Sequence, residues 1–412
     1  MTSRLAPQPW MTAPETVAVL DALEGAGAEV RFIGGCVRDA LLDRPVNDVD
    51  LATDALPEAV VAGLEAAGIK AVPTGLQHGT ITAVSSHRPF EITTLRHDVE
   101  TDGRHATVAF TDDWEADAAR RDFTINALSL SRDGTLHDPF GGEQDLRDGI
   151  VRFVGDPRQR IEEDVLRLLR FFRFHAHYAA GDFDGPSLAA CRALASRVPR
   201  LSVERVWSEL KKLLGAPDPA PVVRTMVEIG ALASVLPDPI GVDRLDRLVL
   251  TEMKAAVRWP DIAGDAVRRV GALVPPDGKS AGEAAGHLKV STAERTRLVA
   301  MAGAVSDPPD MASEQALRRL RNRLSQETMV DLALVLWAES ENEEPWAAAI
   351  EIALDWTPPA FPLSGQDVTA LGVKSGPDIG RLLAVVEDWW IAEDFVPDRD
   401  ACLNRLRDAL DD

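Results

Sequence analysis

The hydrophobic periodicity of the chain changes once, near Asp145, and this change limits the folds that the chain can adopt. Before it, short runs rich in β-branched residues alternate with segments of helical period, as in a small α/β domain with a mixed sheet. After the run IVRFVG, at 150–155, only helical period remains. The sequence therefore predicts an α+β fold, with a small mixed sheet in the head and an all-helical remainder.

At 412 residues the chain is too long for one ordinary hydrophobic core. Stretches rich in Pro and Gly interrupt the helical pattern, because they remove backbone donors or restrict φ. Boundaries at these stretches and at the change of period predict a head, a neck, a body and a tail at 1–140, 141–215, 216–306 and 307–412.

The composition argues against several protein classes. No run of about 18 uncharged apolar residues occurs and the N-terminus lacks an apolar signal stretch, so we expect no membrane partner and a cytoplasmic location. The cysteines are far apart and form no Cys-x-x-Cys pair, which argues against a disulfide framework and a structural zinc site. They are Cys36, Cys191 and Cys402. The oligomeric state does not follow from the sequence.

The net charge of −22 argues against a nucleic-acid partner, because phosphate contacts need Lys and Arg. The charge is unevenly distributed, however. Residues 140–214 carry 13 Lys and Arg against 11 Asp and Glu, and are the one net-positive stretch. A nucleic-acid partner would therefore require the basic residues to be confined to one surface.

The segment EVRFIGG, followed by CVRDALLD, reads as a strand, a double-glycine turn and a helix. Glycine lets backbone N–H groups approach a phosphate, and the first turn of a helix favours anions. Gly34, Gly35 and Arg38 are therefore candidates for binding phosphate. The alternative is a tight connection without a ligand.

Asp48 and Asp50 follow in the segment NDVDLAT. On a strand, residues i and i+2 face the same side, so the two carboxylates would lie close together. Such a pair suits Mg²⁺, and two ions can activate a hydroxyl and stabilise a leaving phosphate. A solvated edge strand, or a loop with two capping aspartates, is the alternative.

The segment RRDFTINA combines cations, a carboxylate and an amide. Arg121 could bind phosphate, while Asp122 and Asn126 could bind the hydroxyls of a ribose. Alternatively, Asp122 caps a helix and Asn126 makes a hydrogen bond in the core.

The segment RIEEDVLRLLRFFRF has the period of a single amphipathic helix, with polar residues spaced by three on another face. An intrahelical ion pair between Asp164 and Arg167 is one reading. The other is base recognition, because cytosine and adenine both present an amino donor beside a ring-nitrogen acceptor. Uracil and guanine present the reverse order and would leave buried groups unpaired.

Gly-Gly-x-Val-Arg-Asp followed by Asp-x-Asp resembles the nucleotidyltransferase superfamily related to DNA polymerase β, and specifically its class II tRNA branch of CCA-adding enzymes and bacterial poly(A) polymerases. The resemblance extends over nearly the whole chain, through RHDVETDGRHATVAF (96–110), RRDFTINALSL (120–130), DPFGG (138–142), RIEEDVLRLLRFFRF (160–174), SVERVWSEL (202–210) and the tail segment at 363–390.

The resemblance implies a polymerase-β-like head and template-independent addition of the CCA terminus to tRNA from CTP and ATP. It implies that Asp48 and Asp50 are the catalytic residues and hold Mg²⁺. The implied nucleotide-binding residues are Gly34, Gly35, Arg38, Arg121, Asp122, Asn126, Asp164, Arg167, Arg170 and Arg173. Two alternatives stay open: a poly(A) polymerase, and an inactive nucleotide- or RNA-binding regulator.

Three further segments are candidates for supporting roles. Glu91 could be a third carboxylate near the metals, or could pair with Arg96. In the resembling family, the segment 96–110 is a flexible loop associated with the final A addition, whereas DPFGG reads as a structural turn. A basic cluster in the tail could contact RNA or form a solvated face; it comprises Arg318, Arg319, Arg321 and Arg323.

Overall fold

The computed structural model describes residues 3–76, 79–102, 105–311, 313–340, 342–374 and 376–411. The chain forms two compact units, Met1–Val235 and Leu236–Asp412. The finer division into four parts stays a prediction. Among the residues so described, no helix combines the length and apolar character that crossing a membrane requires.

The first part of the N-terminal unit is a head of short helices and strands. Its elements are α1 (Pro9–Thr12), α2 (Pro14–Gly25), β1 (Val30–Ile33), α3 (Gly35–Leu41), β2 (Asp50–Thr53), α4 (Pro57–Ala66), β3 (Lys70–Gly75), β4 (Thr80–Ser85), β5 (Arg88–Thr94), β6 (Arg96–Asp102), β7 (His105–Phe110), α5 (Trp114–Ala119), β8 (Ser129–Ser131), β9 (Leu136–His137) and α6 (Gly142–Asp148).

Seven strands form one sheet in the order β3-β4-β5-β2-β1-β8-β9, and β6 pairs with β7 as a separate ribbon. The strands β2 and β5 are parallel and the other neighbours are antiparallel, so the predicted mixed sheet is confirmed. Phe32, Leu51 and Ile92 pack with α2 and α4 in the core of the head. Because side chains alternate along a strand, Asp50 lies on the opposite face of the sheet.

Helices complete this unit, through the predicted neck at 141–215 and into the start of the predicted body. They comprise α7 (Pro157–Glu163), α8 (Leu166–Tyr178), α9 (Gly185–Leu194), α10 (Val203–Leu214) and α11 (Ala220–Glu228). Phe123 of the head lies 4.9 Å from Phe153 and 5.1 Å from Phe174 between ring centroids, and Phe153 lies 5.6 Å from Phe171. Such aromatic packing joins α8 to the head.

The C-terminal unit contains helices joined by loops and turns, with no strand among its described residues, as the sequence predicts. Its helices are α12 (Val242–Arg258), α13 (Ala266–Leu273), α14 (Gly278–His287), α15 (Thr292–Ser306), α16 (Glu314–Arg323), α17 (Gln326–Ala338), α18 (Glu344–Asp355), α19 (Gly365–Ala370), α20 (Gly376–Ala392) and α21 (Arg399–Asp411). Many of them begin at a side chain that caps a backbone N–H, such as Asp265, Ser291 and Ser325. Trp390 lies in the core of the tail, with Trp389 packed against that core.

Candidate active site

A glycine turn joins β1 to α3 at the edge of the site. Gly34 adopts φ +68° and ψ −126°, a conformation that side chains with a Cβ atom rarely adopt. A Cβ atom at Gly34 would lie 3.7 Å from Arg121 Nη1 and 3.9 Å from Asp50 Oδ2. The predicted order of strand, glycine turn and helix is confirmed, and the turn lies beside one cation and one anion.

Two further carboxylates, those of Glu91 and Asp48, act on Asp50. The parallel register of β2 and β5 places Glu91 directly opposite Asp50. Burial, followed by the charges of Glu91 and Asp48, raises the pKa of Asp50 to about 6, while Arg121 acts in the opposite direction. Asp50 is therefore surrounded by more negative than positive charge, as the prediction of a third carboxylate at Glu91 requires.

The prediction that both aspartates lie on a strand is wrong for Asp48. The strand β2 begins at Asp50, where it pairs with Ile33 of β1 and with Glu91 of β5. On the β1 side, the chain turns at Gly34 directly after Ile33, so the residues before Asp50 have no β1 residue to pair with. Asp48 is exposed in the irregular segment before β2, yet it still acts electrostatically on Asp50.

The donor set at Asp50 fits a divalent cation. No group of three or more His, Cys, Asp or Glu side chains within the described ranges forms a ready-made metal cage. Mg²⁺ is usually held by one or two carboxylates together with substrate phosphates and water. The carboxylates of Asp48 and Asp50 supply the hard oxygen donors that such an incomplete site needs.

A buried chain of hydrogen bonds links α3, the 3-10 turn Thr124–Asn126 and α8. Arg38 Nη1 donates to Asn126 Oδ1 at 2.7 Å, Asn126 Nδ2 donates to Asp122 Oδ1 at 2.9 Å, and Arg170 Nε donates to Asp122 Oδ2 at 2.6 Å. Burial alone would raise the pKa of Asp122, but Arg170 and these hydrogen bonds hold it below its usual range. These four residues are brought together by the fold.

Three of the four hydrogen-bonded residues, Arg38, Asp122 and Asn126, are buried, whereas the side chain of Arg170 is 32% exposed. Arg38 is 8% exposed, also bonds Asp39, and stacks over the ring of Tyr178, with 4.2 Å between its Cζ atom and the ring centroid. The predicted contacts of Arg38 with phosphate, and of Asp122 and Asn126 with ribose, stay predictions.

Arg121 is the predicted guanidinium that lies beside both Gly34 and Asp50. Asp117 holds it there: Arg121 Nη2 lies 3.2 Å from Asp117 Oδ2, and Arg120 Nη2 lies 2.6 Å from Asp117 Oδ1. Burial would raise the pKa of Asp117, but the two arginines lower it overall. Asp117 therefore positions the cation nearest to the carboxylates.

The segment 160–174 is two helices rather than the predicted single helix. α7 ends at Glu163, Asp164 adopts an extended conformation with φ −148° and ψ 108°, and α8 begins at Leu166. The cause is local capping: Asp164 Oδ1 accepts the backbone N–H of Leu166 at 3.0 Å and competes with helix continuation. The helical period remained visible because the apolar face continues across the break.

Asp164 and Arg167 do not form the intrahelical ion pair that the sequence offered as one reading. Asp164 Oδ2 accepts from Arg205 Nη2 at 2.7 Å. Arg167 pairs with Glu163 and donates to the backbone oxygens of Arg160 at 3.0 Å and Arg120 at 3.1 Å. The two side chains are thus held separately, each by its own partner.

Arg173 lies on α8 one turn beyond Arg170. Its Nε atom is 2.7 Å from Glu209 Oε2, and their alignment is that of an ion pair rather than a directed hydrogen bond. Burial lowers the pKa of Arg173, and Glu209 opposes this effect. Arg170 and Arg173 therefore each have one buried acidic partner, Asp122 and Glu209.

The structure also describes the segment DPFGG (138–142) and most of the segment 96–110. The segment 96–110 contains β6 and β7, which pair antiparallel, while residues 103 and 104 lie outside the described residues. DPFGG is a turn, as predicted: Asp138 accepts the N–H groups of Gly142 at 2.7 Å and Glu143 at 3.0 Å. A Cβ atom at Gly142 would lie 2.2 Å from the oxygen of Thr124, so close packing supports the structural role.

The predicted RNA-contacting arginines lie on α16 in the C-terminal unit, and most of them have internal partners. Arg318 pairs with Asp394, Arg319 Nη2 donates to the oxygen of Ala392, and Arg321 Nη1 donates to that of Leu324. Arg323, by contrast, is exposed. The RNA contact stays a prediction.

The sequence did not identify several residues that hold the site in place, namely Asp117, Glu163, Tyr178, Arg205 and Glu209. A spacing signal existed for two of them, because Asp117 and Glu163 each precede an arginine by four residues. The partners of the others are distant in sequence, as with Arg205 and Asp164, which are 41 residues apart.

Known proteins resemble this chain over most of its length. A family model described as "Poly A polymerase head domain" matches residues 30–152, and one described as "Probable RNA and SrmB- binding site of polymerase A" matches residues 182–239. The "CCA tRNA nucleotidyltransferase 1, mitochondrial" of Danio rerio is 35% identical over 386 residues, covering 92% of this chain and 87% of the relative. The Homo sapiens protein of the same name is 33% identical, with 92% and 86% covered.

Solved structures agree with these sequence relationships. The Bacillus stearothermophilus CCA-adding enzyme in complex with CTP superimposes with a TM-score of 0.75 at 26% identity, covering 98% of both chains. The Thermotoga maritima CCA-adding enzyme complexed with tRNA-CCA shares the fold, with a TM-score of 0.67 at 17% identity and 98% and 96% covered. With its glycine turn, its carboxylates and these relatives, the chain belongs to the family of CCA-adding enzymes, the CCA tRNA nucleotidyltransferases.

Proposed function

We propose that the protein builds or repairs the CCA terminus of tRNA, adding nucleotides from CTP and ATP to the RNA 3′ end without a template and releasing pyrophosphate. The observation that carries this proposal is the cluster of Asp50, Glu91 and Asp48 beside the Gly34 turn and Arg121. A site with excess negative charge next to a backbone turn and a guanidinium suits a nucleoside triphosphate bound with divalent cations.

We propose that the divalent cations are Mg²⁺ and that Asp48 and Asp50 hold them, with Glu91 as an additional carboxylate. When bound, two such ions increase the acidity of the RNA 3′-hydroxyl and neutralise charge on the departing pyrophosphate. Asp48 is exposed and Asp50 is half-buried, so both carboxylates are at least partly accessible.

We infer that Arg121 binds the triphosphate, and the position of its guanidinium next to the Gly34 turn supports this role. The hydrogen bonds that run from Arg38 through Asn126 and Asp122 to Arg170 hold the helices α3 and α8 in a fixed relation. A rigid site of this kind contributes to catalysis by holding the α-phosphate in line with the attacking hydroxyl.

We infer that Asp164 and Arg167 select the base. The carboxylate of Asp164 retains free lone pairs, since each oxygen of Asp164 accepts one hydrogen bond from the protein. Arg167 uses Nη1 and one N–H of Nη2 for the protein, which leaves its Nε–H free for a base acceptor. Cytosine and adenine match this pair, whereas uracil and guanine do not.

The test is extension of a tRNA that lacks its CCA terminus, with CTP and ATP supplied separately and together. We expect addition of two C residues with CTP alone and completion of CCA with both nucleotides. Long tails made from ATP alone would contradict the proposal. They would favour poly(A) polymerase, which remains the second candidate because the head matches a family model with that description.

A further inference from the structure

The segment SVERVWSEL has no role in the function proposed so far, although it forms most of α10 beside α8. Arg205 and Glu209 are four residues apart on this helix and therefore lie on the same face. Each of them contacts a different residue of the nucleotide-binding set. We propose that Arg205 and Glu209 are positioning residues, Arg205 for base selection through Asp164 and Glu209 for nucleotide affinity through Arg173. This inference rests on the function proposed above.

Arg205 determines the direction of the Asp164 carboxylate. Asp164 lies in the break between α7 and α8, where it lacks the regular backbone bonds of a helix interior. One oxygen of its carboxylate is held by the Leu166 N–H at 3.0 Å and the other by Arg205 Nη2 at 2.7 Å. Without Arg205, the carboxylate would be held by one backbone N–H alone and could rotate away from the base.

Arg205 also supplies a positive charge to Asp164, which the residue before it in the sequence does not. The residue before Asp164 is Glu163, another carboxylate, and Glu163 is occupied by Arg160 and Arg167. Arg205 is therefore the cation paired with Asp164. A charge-assisted bond of this type orients its partner more strongly than a neutral one.

Glu209 acts at a different place on α8. It is 5% exposed, and its Oε2 atom lies 2.7 Å from Arg173 Nε. Arg170 and Arg38 repel Arg173, so the charge of Glu209 keeps a third guanidinium in this partly buried cluster. Loss of this charge would displace Arg173 and weaken nucleotide binding for every base alike.

The two residues therefore predict two different kinetic effects. In Arg205→Ala, we expect the ratio of kcat/KM for CTP over UTP, and for ATP over GTP, to fall roughly 10- to 100-fold, because a charge-assisted bond is lost. In Glu209→Gln, we expect KM for CTP and ATP to rise roughly 3- to 10-fold at unchanged ratios. Arg205→Lys should recover part of the selectivity, since its ammonium can still pair with Asp164.

Arg197→Ala is the matched control. Arg197 pairs with Glu162 at 3.1 Å, and its side chain is 32% exposed, compared with 31% for Arg205. It does not contact Asp164, so its removal should leave both ratios unchanged. Thermal unfolding of all variants identifies those that merely destabilise the fold.

The results separate this inference from the proposed function. If the wild-type protein does not extend tRNA with CTP and ATP, the proposed function is wrong. If it does, and Arg205→Ala lowers kcat/KM equally for all four nucleotides, the role of Arg205 in selection is overturned. Unchanged KM values in Glu209→Gln would overturn the role of Glu209.

Discussion

Asp50 in the N-terminal unit and Asp331 in the C-terminal unit are both shielded carboxylates, yet their surroundings differ. Asp331 is fully buried and accepts from Arg268 Nε at 2.9 Å and from Arg297 Nε at 2.7 Å. Burial would lower the pKa of Arg268, but Asp331 and its neighbours hold it above its usual range. Asp50 instead faces the carboxylates of Glu91 and Asp48, and its pKa is raised to about 6.

This contrast distinguishes a structural charge cluster from a binding one. Glu252 continues the cluster in the C-terminal unit, where it accepts from Arg268 at 2.7 Å and from Arg269 at 2.8 Å. Those carboxylates already have their cations and need no ligand. The carboxylates around Asp50 lack sufficient positive charge, and a divalent cation would supply it.

The largest expected effect is on catalysis. In the double variant Asp48→Ala with Asp50→Ala, we expect pyrophosphate release to fall on the order of 10³-fold or more, because metal stabilisation worth several kcal/mol is lost. Thermal stability should be unchanged or slightly higher, since mutual repulsion is removed. Pyrophosphate release with tRNA, CTP and ATP measures the first effect, and calorimetry the second.

Asp54→Ala is the control for this variant. The Asp54 carboxylate accepts the backbone N–H of Glu29 at 2.8 Å, so it belongs to the same segment but has a structural partner. Its removal should preserve activity. Undiminished pyrophosphate release in the double variant would show that these carboxylates are not catalytic.

The second effect is on stability. Asp331→Asn leaves Arg268 and Arg297 buried without their shared carboxylate, so we expect a loss of about 3–5 kcal/mol in the free energy of unfolding of the C-terminal unit. Urea unfolding measures it. Glu327→Gln is the matched control, because Glu327 pairs with the same Arg297 but is 62% exposed, and its loss should cost less than about 1 kcal/mol.

The third effect is the pH dependence of stability without metal. Folded Asp50 keeps its proton up to about pH 6, whereas the ordinary pKa is 3.8, so the folded state binds more protons between these values. With a chelator present, the contribution of protonated Asp50 to the free energy of unfolding should therefore fall as pH rises through this window, by at most about 3 kcal/mol. Urea unfolding of the wild type and of Asp50→Asn isolates this contribution, which should be absent in the variant.

The same measurement with added Mg²⁺ is a second test of the charge at Asp50. A cation at the carboxylates favours their charged form, so the decline in stability toward neutral pH should disappear when Mg²⁺ is supplied. A wild-type profile identical to that of Asp50→Asn in the chelator would contradict the electrostatic description of the site.

The smallest effect concerns the basic cluster of the tail. Arg323 is exposed, so Arg323→Ala should raise the apparent Kd for tRNA about two- to fivefold and reduce the salt slope of binding by about one, without loss of stability. Filter binding at several salt concentrations measures both quantities. Arg381→Ala, another exposed arginine of the tail, is the control, and equal effects of the two variants would remove the special role of the cluster.

The sequence predicted those parts of the site that depend on neighbouring residues. The turn at Gly34 could be predicted because strand, glycines and helix follow one another directly. The break at Asp164 was missed, although it too is local, because the apolar period continues across it and conceals the capping bond to Leu166. Periodicity reports which face is buried and does not report whether the backbone is continuous.

The sequence by itself determined the order of elements, the mixed sheet followed by helices, and the acidic and glycine-rich segments of the site. Only the tertiary structure decided which charges have partners. Arg38 bonds Asn126 across 88 residues, and Arg170 bonds Asp122 across 48 residues. The physical reason is range: period and turn preference act within a few residues, whereas the pairing of a charge depends on whatever the fold brings within about 4 Å of it.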